Sequence, residues 1–338
     1  MTPRRRSWEI ALGGIEALAA LLALTAWTIA LVGRLVSDSV PSLQKLSWIP
    51  VPALAAAMAV AIVVMAIVGR IRTRVRVVGG QVASPGLAGR GAALALAMLV
   101  LLLADHLLIR WGLPRACRGS IRLVHWNAAS PSEEEASRGA EALAALDADI
   151  LVVSNDWRLF GRPFTREWKE QGRAVHRAGP FALVTDLPVI EARLVLASNG
   201  RWAGLFRVEH AGGSKGEISI LAVDLPSSTD LPRRDLAAGL RVDLDTLALP
   251  RIDLVVGDFN MDVASASLAR AFPEHRSAFD LVGEGYAASY PRRFPLWQPD
   301  QILVGEAIEP CGYRLIDLGV GTHRAQELRW TAPVAEGP

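Results

Sequence analysis

The first third of the chain carries three long apolar runs, and nothing else in the sequence constrains the fold as strongly. Residues 17–33 (ALAALLALTAWTIALVG) and 46–69 hold no charge, and residues 91–109 are interrupted only by Asp105 and His106. A chain in hydrocarbon must satisfy its own backbone polar groups, which favours helices, and about 20 apolar residues cover the roughly 30 Å of a bilayer interior. Three transmembrane helices are therefore expected, over about 8–33, 47–69 and 91–110. A buried soluble helix is the alternative for the third. A cleaved signal peptide is the alternative for the first, although two further runs follow and no small-residue cleavage site is evident. Trp8, Trp48 and Trp111 fall at the ends of the runs, where interfacial aromatics belong.

The arginines set the expected orientation. Arg4, Arg5 and Arg6 precede the first run, and Arg70, Arg72, Arg74, Arg76 and Arg90 lie between the second and third, whereas the loop after the first has only Arg34 and Lys45. By the positive-inside rule the N-terminus is cytoplasmic, and three spans place everything beyond about residue 118 outside. The expected location is thus the cell membrane, multi-pass, with an extracytoplasmic C-terminal domain and the lipid bilayer as a partner.

Charge divides the chain in the same place. Residues 1–122 hold 14 basic and 4 acidic side chains, a charge of +10, whereas residues 123–338 hold 22 basic and 30 acidic, a charge of −8. Long nucleic acid is bound mainly through phosphate contacts to Lys and Arg, so an acidic outer domain argues against it as a partner. Cys117 and Cys311 are the only cysteines. In an oxidising compartment they could pair; two unrelated buried thiols are the alternative.

Beyond residue 120 the pattern changes to short apolar runs separated by turn residues. "IRLVHWN", "DILVVSN", "FALVTDLPVI", "ARLVLA", "LFRVEH", "ISILAVDLP", "IDLVVGDFN", "DQILVG" and "AQELRW" read as strands. Helices are expected at 133–146, 232–247 and 264–272, the first opened by a capping box between Ser132 and Glu135. The expected fold is a four-layer α/β sandwich, two packed mixed sheets flanked by helices, over residues 119–331. It follows an all-α membrane segment over 1–118 and precedes a short tail, 332–338.

Seven polar residues share a place in this pattern. Asn127, Asn155, Asp224, Asp258 and Asn260 sit at or just after the C-terminal ends of apolar strands, and Asp300 and His323 sit just before strands. If those two strands run antiparallel to the others, all seven side chains meet on one rim. Taken singly each is weak: Gly257-Asp258 is the usual composition of a turn. Trp126, Trp157, Trp202 and Trp297 lie near the same rim, with core packing the default for each. For Arg233, Arg234, Arg292 and Arg293, solvated charge or ion pairing is the default.

In order along the chain these pieces resemble the endonuclease/exonuclease/phosphatase superfamily. "VHWNAA" is similar to the segment bearing the family's first Asn, "ADILVVSN" to the strand ending in its metal-binding Glu, and "ILAVDLPSS" to its His-bearing strand. "VVGDFN" matches outright. "SYPRRFPLWQPDQILV" is similar to the aromatic-Pro stretch before an Asp, and "GTHRAQE" to the closing Ser-Asp-His element. The resemblance implies a phosphoester hydrolase dependent on Mg²⁺ or Mn²⁺, acting on a small phosphodiester or phospholipid headgroup. Asp258 would orient or deprotonate water, Asn260 contact the phosphate, Asn127 position ligands, and His323, fixed by Asp300, serve as the second acid/base.

Three positions depart from the family pattern. Asn155 stands where the metal-binding Glu belongs, Asp224 where a phosphate-contacting His belongs, and Thr322 where the closing motif has Asp. The metal set is reduced to Asp258 and an uncharged Asn155, and Asp224 would repel a phosphate. Compensation would come from Asp156, which follows Asn155 but falls on the opposite face of a regular strand, or from a shifted metal site using Asp224 with Asp258. The alternative expectation is a degenerate relative kept as a binding or scaffolding module, because preorganised electrostatics is usually the largest catalytic term.

Overall fold

The computed structural model describes residues 3–78, 87–112, 117, 120–155, 168, 172–210, 216–283 and 285–331. Two compact units partition the chain, Met1–Leu108 and Ile109–Pro338.

In the first unit, Pro3–Val36 and Val51–Val78 form long helices, with Pro50 and Pro52 at the start of the second, where a missing N–H costs nothing. Ala19, Ala23 and Ala26 of one helix and Ala55, Met58, Ala61 and Met65 of the other are buried. The large aliphatics face outward, among them Ile10, Leu18, Leu21, Val60 and Ile67. Exposed apolar faces of this extent are what a helix pair in lipid would present. Ser7–Val36 and Val51–Val75 are long and apolar enough to cross a membrane. The third expected span is corrected on length. It belongs to a helix at Leu87–Arg110, but its apolar stretch among the described residues, Gly89–Ala104, falls short of a crossing.

The second unit is built from two six-stranded mixed sheets and a two-stranded ribbon. In chain order the strands are β1 (Trp111–Gly112), β2 (Ser120–Asn127), β3 (Ile150–Ser154), β4 (Ala174–Ala178), β5 (Phe181–Thr185), β6 (Val189–Ser198) and β7 (Arg201–Glu209). They continue as β8 (Glu217–Asp224), β9 (Leu254–Asp258), β10 (Arg276–Ser277), β11 (Gly285–Tyr286), β12 (Asp300–Val304), β13 (Pro310–Ile316) and β14 (Ala325–Thr331). One sheet has the order β13-β14-β2-β3-β5-β4, the other β10-β12-β9-β8-β7-β6, and β1 pairs with β11.

Alternation along the strands builds four layers. In β2, Ile121 and Leu123 point into the core between the sheets, and Val124 and Trp126 point the other way. The inner core joins Leu123, Val152 and Leu183 of one sheet to Ile220, Val256 and Ile302 of the other. Outside the first sheet lies the helix Glu133–Ala144, which buries Ala136, Ala140 and Leu143 and carries the expected Ser132–Glu135 capping box. Outside the second lies Arg233–Thr246, which buries Leu236, Leu240 and Leu244 beside the short helix Ala266–Ala271.

One expected strand divides. "FALVTDLPVI" becomes β5 in one sheet and the start of β6 in the other, because Asp186-Leu187-Pro188 turns the chain across the sandwich. Strands β4, β10, β11 and β13 have no counterpart in the sequence reading.

Candidate functional site

Register assembles the site. β9 runs parallel to β8 and antiparallel to β12, so Asp224 pairs with Asp258 and Asp258 with Asp300. Three carboxylates thus stand in one row across three neighbouring strands. Each continues the inward-facing positions of its strand, following Ala222 in β8 and Val256 in β9 and preceding Ile302 in β12. Gly257 makes the row possible: a side chain there would collide with the Val223 carbonyl of the adjacent strand.

The other sheet supplies the partners. Asn127 at the end of β2 donates from Nδ2 to Asp258 Oδ2 at 2.8 Å, while its own Oδ1 accepts from the Ala129 N–H at 2.9 Å. His323, in the loop before β14, places Nδ1 2.8 Å from Asp300 Oδ2, which also accepts from Ser289 Oγ at 2.5 Å. Asp258, Asp300 and His323 each offer a ligand atom within 4.8 Å of the others. Tyr290 lies over His323 with ring centroids 4.8 Å apart.

All seven expected residues join this cluster. Asn155, in left-handed backbone (φ 55°), donates from Nδ2 to Asn127 Oδ1 at 3.3 Å and to Asp224 Oδ1 at 3.2 Å. Asn260, also left-handed, donates its backbone N–H to Asp258 Oδ1 at 2.9 Å and its Nδ2 to the Leu225 carbonyl at 2.8 Å. Asp258 is therefore at once a turn former through Oδ1 and a site residue through Oδ2.

Burial sets the electrostatics. Asp258 is pushed up to about 8, first by burial and then by the charge of Asp300. Asp224 rises to about 6, again mainly through burial. Burial works against charge on Asp300 too, but His323 and the Ser289 hydroxyl outweigh it and hold this carboxyl below its ordinary range. His323 is likewise penalised by burial, yet Asp300 raises it to about 9. The pair is an ion pair at neutral pH, and the proton in short supply sits on Asp258.

Other residues have plain structural uses. Trp126 is fully buried in the outer core against the helix Glu133–Ala144, and Trp202 packs against the inner core. Arg233 is fully buried and donates to the Pro226 and Ser228 carbonyls, fixing the loop after β8. Arg234 pairs with Asp235 and Arg292 with Asp317. Trp157 lies outside the described residues.

No protein-family model matches the sequence, and no curated protein matches it. Among solved structures, the human Nocturnin catalytic domain with bound sulfate is similar at 16% identity and a TM-score of 0.51, over 64% of this chain and 95% of that one. An endonuclease/exonuclease/phosphatase from Beutenbergia cavernae is similar at 16% identity and a TM-score of 0.48, over 64% of this chain and 74% of that one. The outer domain has the endonuclease/exonuclease/phosphatase fold. Asn155, the residue that the sequence resemblance sets against a metal-binding Glu, has its amide nitrogen turned to Asn127 and Asp224.

The donor set nonetheless fits a hard divalent cation. The Asp258 and Asp300 carboxylates converge beside His323, Asp300 Oδ1 is buried with no hydrogen-bond partner, and the raised Asp258 marks a site short of positive charge. Oxygen donors of this kind suit Mg²⁺ or Mn²⁺. Ser289, Gln326, His125, Ser154 and Tyr290 also belong to the site's surroundings, and the sequence reading missed them. Inward phase with the core is the signal that marks His125, Ser154 and Gln326: they alternate with Leu123, Val152 and Leu328.

Proposed function

We propose that the outer domain is a divalent-cation-dependent phosphoester hydrolase held at a membrane by the N-terminal helices. The observation that carries this reading is the buried cluster itself: Asp258 held by Asn127 and set beside the His323–Asp300 pair. Acid and base roles follow from groups whose proton affinities the site brings near the working pH. Asp258, raised to about 8, holds a proton at neutral pH; beside the positive charge of a bound cation it would release that proton and stand as a carboxylate able to take one from an attacking water. His323, at about 9, is protonated there and supplies positive charge and a proton to the departing oxygen. Asp300 keeps His323 charged and oriented through Nδ1. A bound cation, held by Asp258 and Asp300, would supply charge against the phosphate. Asn155 could add an amide oxygen only by releasing Asn127 and Asp224.

A small phosphodiester or lipid headgroup suits this acidic site better than long nucleic acid. The test is hydrolysis of bis-nitrophenyl phosphate and of phospholipid vesicles by the detergent-solubilised full chain with Mg²⁺ or Mn²⁺. Turnover that disappears in Asp258→Ala is expected, and no turnover with any divalent ion would remove the reading. The Asn155 hydrogen bonds favour a second reading, a binding module whose amide has replaced the metal-binding acid. Micromolar Mn²⁺ binding by calorimetry would count against it.

For location, we place the domain outside the cytoplasm. Cys117 and Cys311 form a disulfide, with Cα atoms 5.3 Å apart, as suits an oxidising compartment, and the arginine clusters favour a cytoplasmic N-terminus. The two helices long enough to cross would by themselves return the chain to the side of the N-terminus, so this placement requires one further crossing. Protease protection in intact cells tests this; a domain cleaved only after lysis would overturn it.

A further inference from the structure

Behind the ion pair runs a chain of buried hydrogen bonds that the proposed reaction does not itself use. Gln326 Nε2 donates to the backbone carbonyl of Asp300 at 2.7 Å. Gln326 Oε1 lies 3.2 Å from His125 Nδ1, and His125 Nε2 lies 3.0 Å from Ser154 Oγ. All these residues are buried, with His125, Ser154 and Gln326 showing no exposure. Because the Gln326 amide spends its nitrogen on Asp300, its oxygen must accept, so His125 carries its proton on Nδ1. Nε2 is then the acceptor, and Ser154 the donor. One tautomer satisfies every group; the neutral ring is also the form that complete burial favours.

The connectivity gives this chain its purpose. Ser154, His125 and Gln326 come from β3, β2 and β14, adjacent strands of one sheet, with Gln326 directly opposite His125. Asp300 opens β12 of the other sheet. His323 and Asp300 therefore approach from different sheets, and no ladder of strand pairing fixes their separation. Gln326, three residues beyond His323, bonds the very residue that accepts the His323 Nδ1–H hydrogen bond. We infer that Ser154, His125 and Gln326 are positioning residues, a tautomer-locked relay that clamps the two sheets so that His323 Nδ1 meets Asp300.

The inference rests on reading His323 and Asp300 as the acid/base pair, and its test is chosen to fail separately. In the full chain, selectively labelled with ¹⁵N-histidine, the hydrogen-bonded Nδ1–H of His323 should give a downfield proton resonance, assigned by its loss in His323→Gln. Gln326→Leu and His125→Leu should lose or displace that resonance while the melting transition stays cooperative. His125→Gln, whose amide can still donate and accept, should largely restore it. Ser154→Ala, the mildest change, should move the His125 Nε2 signal and, to a smaller extent, the His323 proton. If the protein turns over substrate, Gln326→Leu should lower kcat about tenfold with KM little changed, as loss of an outer partner does. Folded Gln326→Leu and His125→Leu proteins with the His323 resonance unmoved would overturn the relay. If neither folds, an unmoved His323 resonance in Ser154→Ala does so. An inert enzyme with the expected resonances would instead sink only the hydrolase reading.

Discussion

Asp258 concentrates the physics of the site in one side chain. Its two oxygens accept from Asn127 and from the Asn260 backbone, yet burial and Asp300 raise it from 3.8 to about 8. In that interval the folded protein keeps a proton that the unfolded chain has released. The resulting stability is complete below about 4 and is lost as pH rises through 8. His323, raised from 6.5 to about 9, acts in the same direction at the upper end. Without divalent cations the melting temperature should therefore fall between pH 5 and 8, and Asp258→Asn should flatten that slope. Mn²⁺ should raise the melting temperature more at pH 8 than at pH 5, because its ligands must be deprotonated. A stabilisation by Mn²⁺ that does not vary with pH would contradict the proton count. Asp258→Asn should also cost at least about 10²-fold in any hydrolysis, the usual lower bound for losing a general base.

The row of three acids depends on strand register and on the glycine that permits it. Gly257 lets β9 lie close against Val223, and a methyl group there must push the strands apart. Gly257→Ala should destabilise by about 1–3 kcal/mol, the range for overpacking, and should weaken Mn²⁺ binding beyond what stability alone explains; chemical denaturation and calorimetry measure the two. The Ser132 cap of Glu133–Ala144 takes no part in the buried cluster. Ser132→Ala should cost about 1 kcal/mol and leave hydrolysis unchanged. The long strands and the three helices were legible because their apolar periodicity is strong. Short β10 and β11 carry too few residues to show a period, and β13 is interrupted by Cys311 and Gly312.

Across the whole chain the two units expose different surfaces. In Met1–Leu108 many large aliphatics are exposed, whereas Ile109–Pro338 buries most of its large aliphatics between and behind two sheets. The Cys117–Cys311 bond ties the segment entering the outer domain to β13 across 194 residues of sequence. Cys117→Ser should lower the denaturation midpoint by an amount equivalent to about 2–5 kcal/mol, with dithiothreitol reproducing the loss in the parent protein. An unchanged midpoint under reduction would show that the bond does not stabilise the folded chain.

The sequence by itself determined the apolar helices, the class of the outer domain and the identities of the seven rim residues, because periodicity and residue type are local properties. The neutral Asn155 and the acidic Asp224 were visible there too. Only the tertiary structure decided that Asp224, Asp258 and Asp300 share one row, that Asn127 binds Asp258, and that the Asn155 nitrogen faces Asp224. It alone drew Ser154, His125 and Gln326 behind Asp300. Those facts follow from strand register and the stacking of two sheets, which join residues far apart in the chain. The raised affinity of Asp258 for its proton comes from that burial and from the charge brought beside it.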